Sequence, residues 1–170
     1  MSNRTFEELS REELLELLSL FAKCTVAIDG LWFQSLESKL GMDETMAHNN
    51  GVWEKYAVVE AHKLKKFLAL PARAGIDGLR RALAYRVFYQ PNQDRIEVDG
   101  NVLTYYMETC RVQAARQRKG LPFHPCKSTG MVDFTAFSKA IDVRFQTECL
   151  SCYPDLTDPS CACIWRFTLA

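Results

Sequence analysis

Six of the chain's seven cysteines fall in one stretch: Cys110, Cys126, Cys149, Cys152, Cys161 and Cys163. Cys149 and Cys152 enclose two residues, a spacing that lets two thiolates on one tight turn reach a single ion. Zinc takes four ligands in a tetrahedron, with sulfur at about 2.3 Å. Cys126 before the pair, and either Cys163 or Cys161 after it, would complete the set. An iron–sulfur cluster uses the same donors. Cys110 reads equally as a further ligand or as a core thiol, and Cys24 reads as core packing. The competing explanation for the whole group is cysteine used as a small apolar residue in a sheet.

A second group of residues suits a pocket. Aromatic side chains recur at inward positions, among them Trp32, Phe33, Tyr85, Tyr89 and Phe137. An apolar cavity with a few polar groups is the usual form of a ligand site, although a filled core has the same pattern. Asp29, Glu60, His62, Arg111 and Gln113 could orient a ligand. Asp29 is a carboxylate in an apolar segment beside Trp32, and a desolvated carboxylate can act as acid or base. The same residue could instead cap a kink or pair with an arginine. Asp29, Glu60, Cys110 and Arg111 are the candidates for catalysis. The chain has no Gly-rich phosphate loop, nucleophile elbow or zinc-protease helix.

The elements that must position these residues change character along the chain. Ser10 and Glu13, like Thr5 and Glu8, have capping-box spacing. Apolar residues then recur at helical intervals from Leu14 to Leu40, closed by Gly41. His48-Asn49-Asn50-Gly51 reads as a separator before a second helix, Val52 to Leu70, which Pro71 ends. A third helix is expected over Ile76 to Tyr89. From Asp94 a strand, the turn Asp99-Gly100 and a second strand from Val102 make a hairpin. Helices follow at Cys110–Lys119 and at Asp133–Ile141, the latter capped by Asp133. Two strands close the chain, Val143–Glu148 and Cys163–Leu169. The expected fold is therefore α+β: N-terminal helices (1–90) packed on a β-β-α-α-β-β antiparallel sheet domain (91–170) with a cysteine metal site, together one compact unit.

This order of elements, with cysteines at its junctions, resembles the 4-vinyl reductase domain family. The stretches that carry the likeness are Met107-Glu108-Thr109-Cys110, Pro125-Cys126-Lys127-Ser128-Thr129-Gly130, Thr147-Glu148-Cys149-Leu150-Ser151-Cys152 and Cys163-Ile164-Trp165-Arg166-Phe167. They span the part of the chain from Ile96 to Leu169. The resemblance implies a small-molecule-binding domain like those of aromatic-sensing bacterial regulators, with zinc held by Cys126, Cys149, Cys152 and Cys163 or Cys161. The first residue of the spaced pair is acidic in those sensors and is Cys149 here, which implies an all-thiolate, structural site. The whole chain is also similar to an uncharacterised group of prokaryotic cytosolic proteins distantly related to L-2-amino-thiazoline-4-carboxylate hydrolases. Asp29-Gly30-Leu31-Trp32-Phe33, Cys110 to Arg116 and Lys119-Gly120-Leu121-Pro122 carry that likeness. It implies, as the alternative function, hydrolysis of a small heterocyclic or amino-acid-like substrate.

Bulk properties narrow the partners. Lys plus Arg and Asp plus Glu number 21 each, so no basic field recruits nucleic acid. No apolar run approaches a membrane span, and Met1 to Glu13 lacks the apolar core of a signal peptide. The expected location is the cytoplasm, where dense cysteines bind metal more often than they pair, and an odd total of seven argues the same way. The expected partner is a small apolar or aromatic molecule. Related domains often dimerise through an exposed apolar helix face, so a homodimer is a further expectation.

Overall fold

The computed structural model describes residues 5–170. A 3-10 turn, Phe6–Glu8, precedes the first long helix, α1 (Arg11–Leu40). Ser10 and Glu13 form the expected capping box, with the Glu13 amide donating to Ser10 Oγ at 3.2 Å and the Ser10 amide to Glu13 Oε2 at 2.8 Å. Thr5 makes no such side-chain cap. Gly41, at φ 80°, ends α1 and directly starts α2 (Met42–Phe67), a left-handed corner that suits glycine. The expected break at His48–Gly51 does not occur, and α2 begins ten residues before Val52. Asn49 and Asn50 both bond Thr129 Oγ1, at 3.0 and 2.6 Å, so these poor helix formers are kept helical by tertiary contacts. α3 (Gly75–Leu83) is shorter than expected and unwinds into turns before Tyr89.

Strands β1 (Gln93–Asp99) and β2 (Val102–Thr109) form the expected hairpin, its turn made by Gly100, at φ 53°, and Asn101. Helix α4 (Arg111–Arg118) follows, with Cys110 at its N-cap. Helix α5 (Lys127–Ile141) begins two turns earlier than expected, so Asp133 is not a cap but a buried residue inside the helix. β3 (Phe145–Cys152) and β4 (Cys163–Leu169) complete an antiparallel sheet in the order β1-β2-β4-β3. The fold is α+β, with five α-helices and this four-stranded sheet among the described residues.

One core joins the two halves of the chain. Ala57 and Ala61 of α2 and Leu79 of α3 pack with Leu103, Tyr105, Phe134, Phe137, Trp165 and Phe167. Each large side chain removed from water contributes roughly 1.5–3 kcal/mol. Helix α5 lies between α2 and the sheet, and Gly130 is where it comes closest. A Cβ there would stand 2.4 Å from Cζ2 of Trp165. Lys65 of α2 donates to the last carbonyls of α5, at 2.6 Å to Ile141, meeting the negative end of that helix with a positive charge.

Candidate functional site

Between α1, α2, α4, α5 and the sheet lies a cavity of about 440 Å³. Its walls are mainly apolar: Phe33 from α1, Trp53 from α2, Phe88 and Tyr89 from the segment after α3, Phe134 from α5 and Trp165 from β4. Polar groups reach it as well, among them Asp29, Arg111, Gln113 and His124. A second hollow of about 350 Å³, beside Arg80, Gln90 and Arg95, is walled by polar and charged side chains. The first has the composition of a small-molecule site.

Its walls are set by ion pairs and amide clamps. Arg116 of α4 grips Glu37 of α1 through two 2.8 Å bonds, fixing the two helices that flank the opening. That pairing holds the Glu37 carboxyl below its ordinary pKa. On the opposite wall Arg86 is wholly buried, bonded to Glu60 at 2.8 Å and to both oxygens of Asp133 at 2.6 and 2.9 Å. Tyr89 donates to Asp133 at 2.7 Å, and the Arg86 guanidinium lies 4.2 Å from the centre of the Phe137 ring. Burial works against the Arg86 charge, but the carboxylates around it outweigh burial and raise its pKa. Glu60 and Phe137 therefore belong to this buried ion network and do not line the cavity, contrary to the expectation that they serve catalysis and ligand binding.

Four cysteines, Cys110, Cys126, Cys152 and Cys163, line the cavity, and Cys149 does not. Cys149 and Cys152 lie in a strand, not on the turn their spacing suggested. Residues three apart on a regular strand face opposite sides. A bulge between Cys149 and Ser151 absorbs Leu150, so Cys149 pairs with Trp165 and Cys152 with Cys163. Partners two apart on β4 share a face, and the bulge thus puts Cys149, Cys152 and Cys163 on the same side of the sheet. Cys126, at the N-cap of α5, brings its sulfur to 3.5 Å from that of Cys152. Gln113 donates to the Cys126 sulfur at 3.5 Å and clamps the preceding loop through the amide and carbonyl of His124. The neighbouring Cys152 sulfur and burial push the Cys126 thiol above its ordinary pKa. At Cys152 the lowering effect of Cys126 is outweighed by Cys163 and burial, which raise it, and burial raises Cys149.

Among the described residues no group of three or more His, Cys, Asp or Glu side chains converges so as to hold a metal ion. The expected four-sulfur centre is present only as one close pair with two neighbours on the same face. Cys161 precedes β4, is buried, and does not line the cavity. Cys110 does line it, and burial pushes its thiol up. Cys24, expected in the core, is exposed on α1.

Of the ligand candidates, Phe33, Tyr89 and Arg111 line the cavity, whereas Trp32 and Tyr85 are exposed and do not. Asp29 faces the cavity with no hydrogen-bond or charge partner among the described residues, and desolvation raises its pKa to about 6. His124 packs edge-on against Phe33, 4.6 Å between ring centres, and burial lowers its pKa to about 4. Nδ1 of His124 and Nε1 of Trp165 are buried without a partner. Nothing in the sequence marked Trp53 as a wall residue, and Asp133 was expected as a helix cap and not as a partner of Arg86. An arginine within the apolar run Leu83–Phe88 was the available signal for Arg86.

No helix among the described residues is long and apolar enough to cross a membrane. No curated protein and no solved structure matches the chain. The model of a family of unknown function (DUF6125) matches residues 7–169, nearly the whole length, and the chain belongs to that family.

Proposed function

We propose that this protein binds a small, largely apolar or aromatic molecule in the cavity between its helices and its sheet, above a zinc ion held by Cys126, Cys149, Cys152 and Cys163. The observation that carries this reading is the cavity of about 440 Å³ with aromatic walls and an unpaired carboxylate, Asp29. An isolated carboxylate in an apolar wall costs free energy unless a donor meets it. Asp29 is thus the group that orients the ligand, accepting from an N–H or O–H of an otherwise apolar body.

The zinc part rests on donor chemistry. Two sulfurs on one tetrahedral zinc, each about 2.3 Å away, stand about 3.8 Å apart, and Cys126 and Cys152 are already at 3.5 Å. Cys149 and Cys163 share that face of the sheet. Buried thiols crowded together resist ionisation; a divalent cation reverses that and stabilises the thiolates. The orphan Trp165 N–H is a donor on the same face as these sulfurs. The ion would tie α5 to β3 and β4. The same donors serve an iron–sulfur cluster, which a brown colour would reveal.

The 4-vinyl reductase resemblance supports this reading, and a site of this kind gives it a physical form. The hydrolase alternative has Asp29 as its one observation, since Cys110 forms no hydrogen bond with a basic side chain among the described residues.

Elemental analysis of the purified chain tests the metal, with about one zinc per chain expected and its loss in Cys126→Ser and Cys152→Ser. A folded, metal-free preparation ends that part. For the ligand, native mass spectrometry and a thermal-shift panel of small aromatics are compared between the wild type and Gly30→Phe. Gly30 lines the cavity and a Cβ there meets nothing within 4 Å, so the new ring enters the cavity without backbone strain. Binding that survives Gly30→Phe unchanged would exclude the cavity as the site.

A further inference from the structure

We infer that two copies of this chain pair through the exposed apolar face of α1, running antiparallel. Leu14, Leu17, Phe21, Cys24, Ile28 and Leu31 recur at alternating intervals of three and four, the seam of a two-helix coiled coil. The fold makes little use of this helix. Of its 30 residues only Ala22 is buried. Phe21 is 49% exposed, Ile28 54% and Leu31 60%, and Leu18, Leu20 and Trp32 flank them at 63%, 52% and 66%. With about 200 Å² for a large side chain, those six expose roughly 700 Å², near the ~800 Å² that each partner buries in a standard interface. Apolar patches of this size mark interaction surfaces.

Charge selects the partner and the direction. The N-terminal end of α1 and the turn before it carry Glu7, Glu8, Glu12, Glu13 and Glu16 against Arg11. At the other end Glu37 is paired with Arg116, and Lys39, with Lys119 (bonded to Gln34 at 2.9 Å) and Arg118 of α4, outnumbers Asp43 and Glu44 at the start of α2 by one charge. Antiparallel pairing sets the acidic end of one copy against the basic end of the other, whereas parallel pairing sets like against like. The acidic half also disfavours an anionic lipid surface as the occupant. In the register that uses the whole seam, Leu14 meets Leu31, Leu17 meets Ile28 and Phe21 meets Cys24 of the second copy.

Sedimentation equilibrium of the full chain, with no ligand or metal added, reads the pairing apart from what fills the cavity. A dimer is expected at micromolar concentration, with Ile28→Glu and Trp32→Lys each converting it to a monomer of unchanged circular dichroism. A monomeric wild type, or dimers that persist in both variants, would overturn the inference. Direction is read by disulfide formation in a Cys24→Ser background. Leu14→Cys and Leu31→Cys chains should cross-link when mixed and not separately, while cross-linking of each alone would mean parallel helices.

Discussion

Arg86 shows how one residue commits a fold to a particular interior. Its guanidinium is wholly buried and makes three bonds to carboxylates, one to Glu60 and two to Asp133. Removing one partner leaves an uncompensated charge in the core, which costs about 3–5 kcal/mol. Asp133→Ala should therefore lower stability by that amount in urea unfolding, whereas Arg86→Met combined with Glu60→Gln and Asp133→Asn should cost less than Asp133→Ala alone. A second expectation concerns pH. The folded pKa of His124 is depressed to about 4 from 6.5, so stability is lost as pH falls below 6.5 and the unfolded chain takes up a proton the fold refuses. Asp29 is raised to about 6 from 3.8, so its burial favours the folded state as pH falls over that range. The two oppose each other between about pH 6 and 4. Asp29→Asn should steepen the loss of stability on acidification, and His124→Gln should reverse it to a gain. Equal slopes in both variants would show that neither group governs this window. Asp29 was legible because a charge stood out in an apolar segment. Arg86 was not, because its partner Asp133 lies 47 residues away and only the packing of α5 brings them together.

At the scale of elements, periodicity located helices and strands well and their ends poorly. The Ser10 capping box, the hairpin and the final strand follow from local chemistry and appear where that chemistry puts them. The misplaced boundaries are those that distant contacts decide. Asn49 and Asn50 remain helical because Thr129 binds them, and α5 starts early because its first turn carries Cys126 to the cysteine face. The bulge at Leu150 is the clearest case. A two-residue spacer between cysteines suggested a turn, and the chain instead puts Cys149 and Cys152 on one face of the sheet by inserting one residue into a strand. The close approach of α5 to β4 gives a test of this layer. Gly130→Ala places a methyl against the Trp165 ring, which overpacking should penalise by about 1–3 kcal/mol despite the better helix propensity of alanine. An unchanged urea midpoint would mean that α5 can move off the sheet freely.

At the scale of the molecule, the cavity lies among elements from both halves, and the core beneath it draws on α2, α3, α5 and the sheet. A ligand seated there touches the N-terminal helices and the C-terminal strands at once, so its binding free energy should stabilise the whole chain and not one part. A molecule present at a hundred times its Kd adds about 2.7 kcal/mol, which for a domain of this size raises the melting temperature by roughly 5–10 °C. Scanning calorimetry should then show one transition moving upward intact, with circular dichroism at helix wavelengths and tryptophan fluorescence reporting the same midpoint. Trp165 sits under the cavity and Trp53 in its wall, so both report on its loss directly. Should ligand shift only part of the endotherm, leaving a second transition where it was, the helices and the sheet would be separate cooperative units, and the cavity between them would be a surface of contact, not a shared interior.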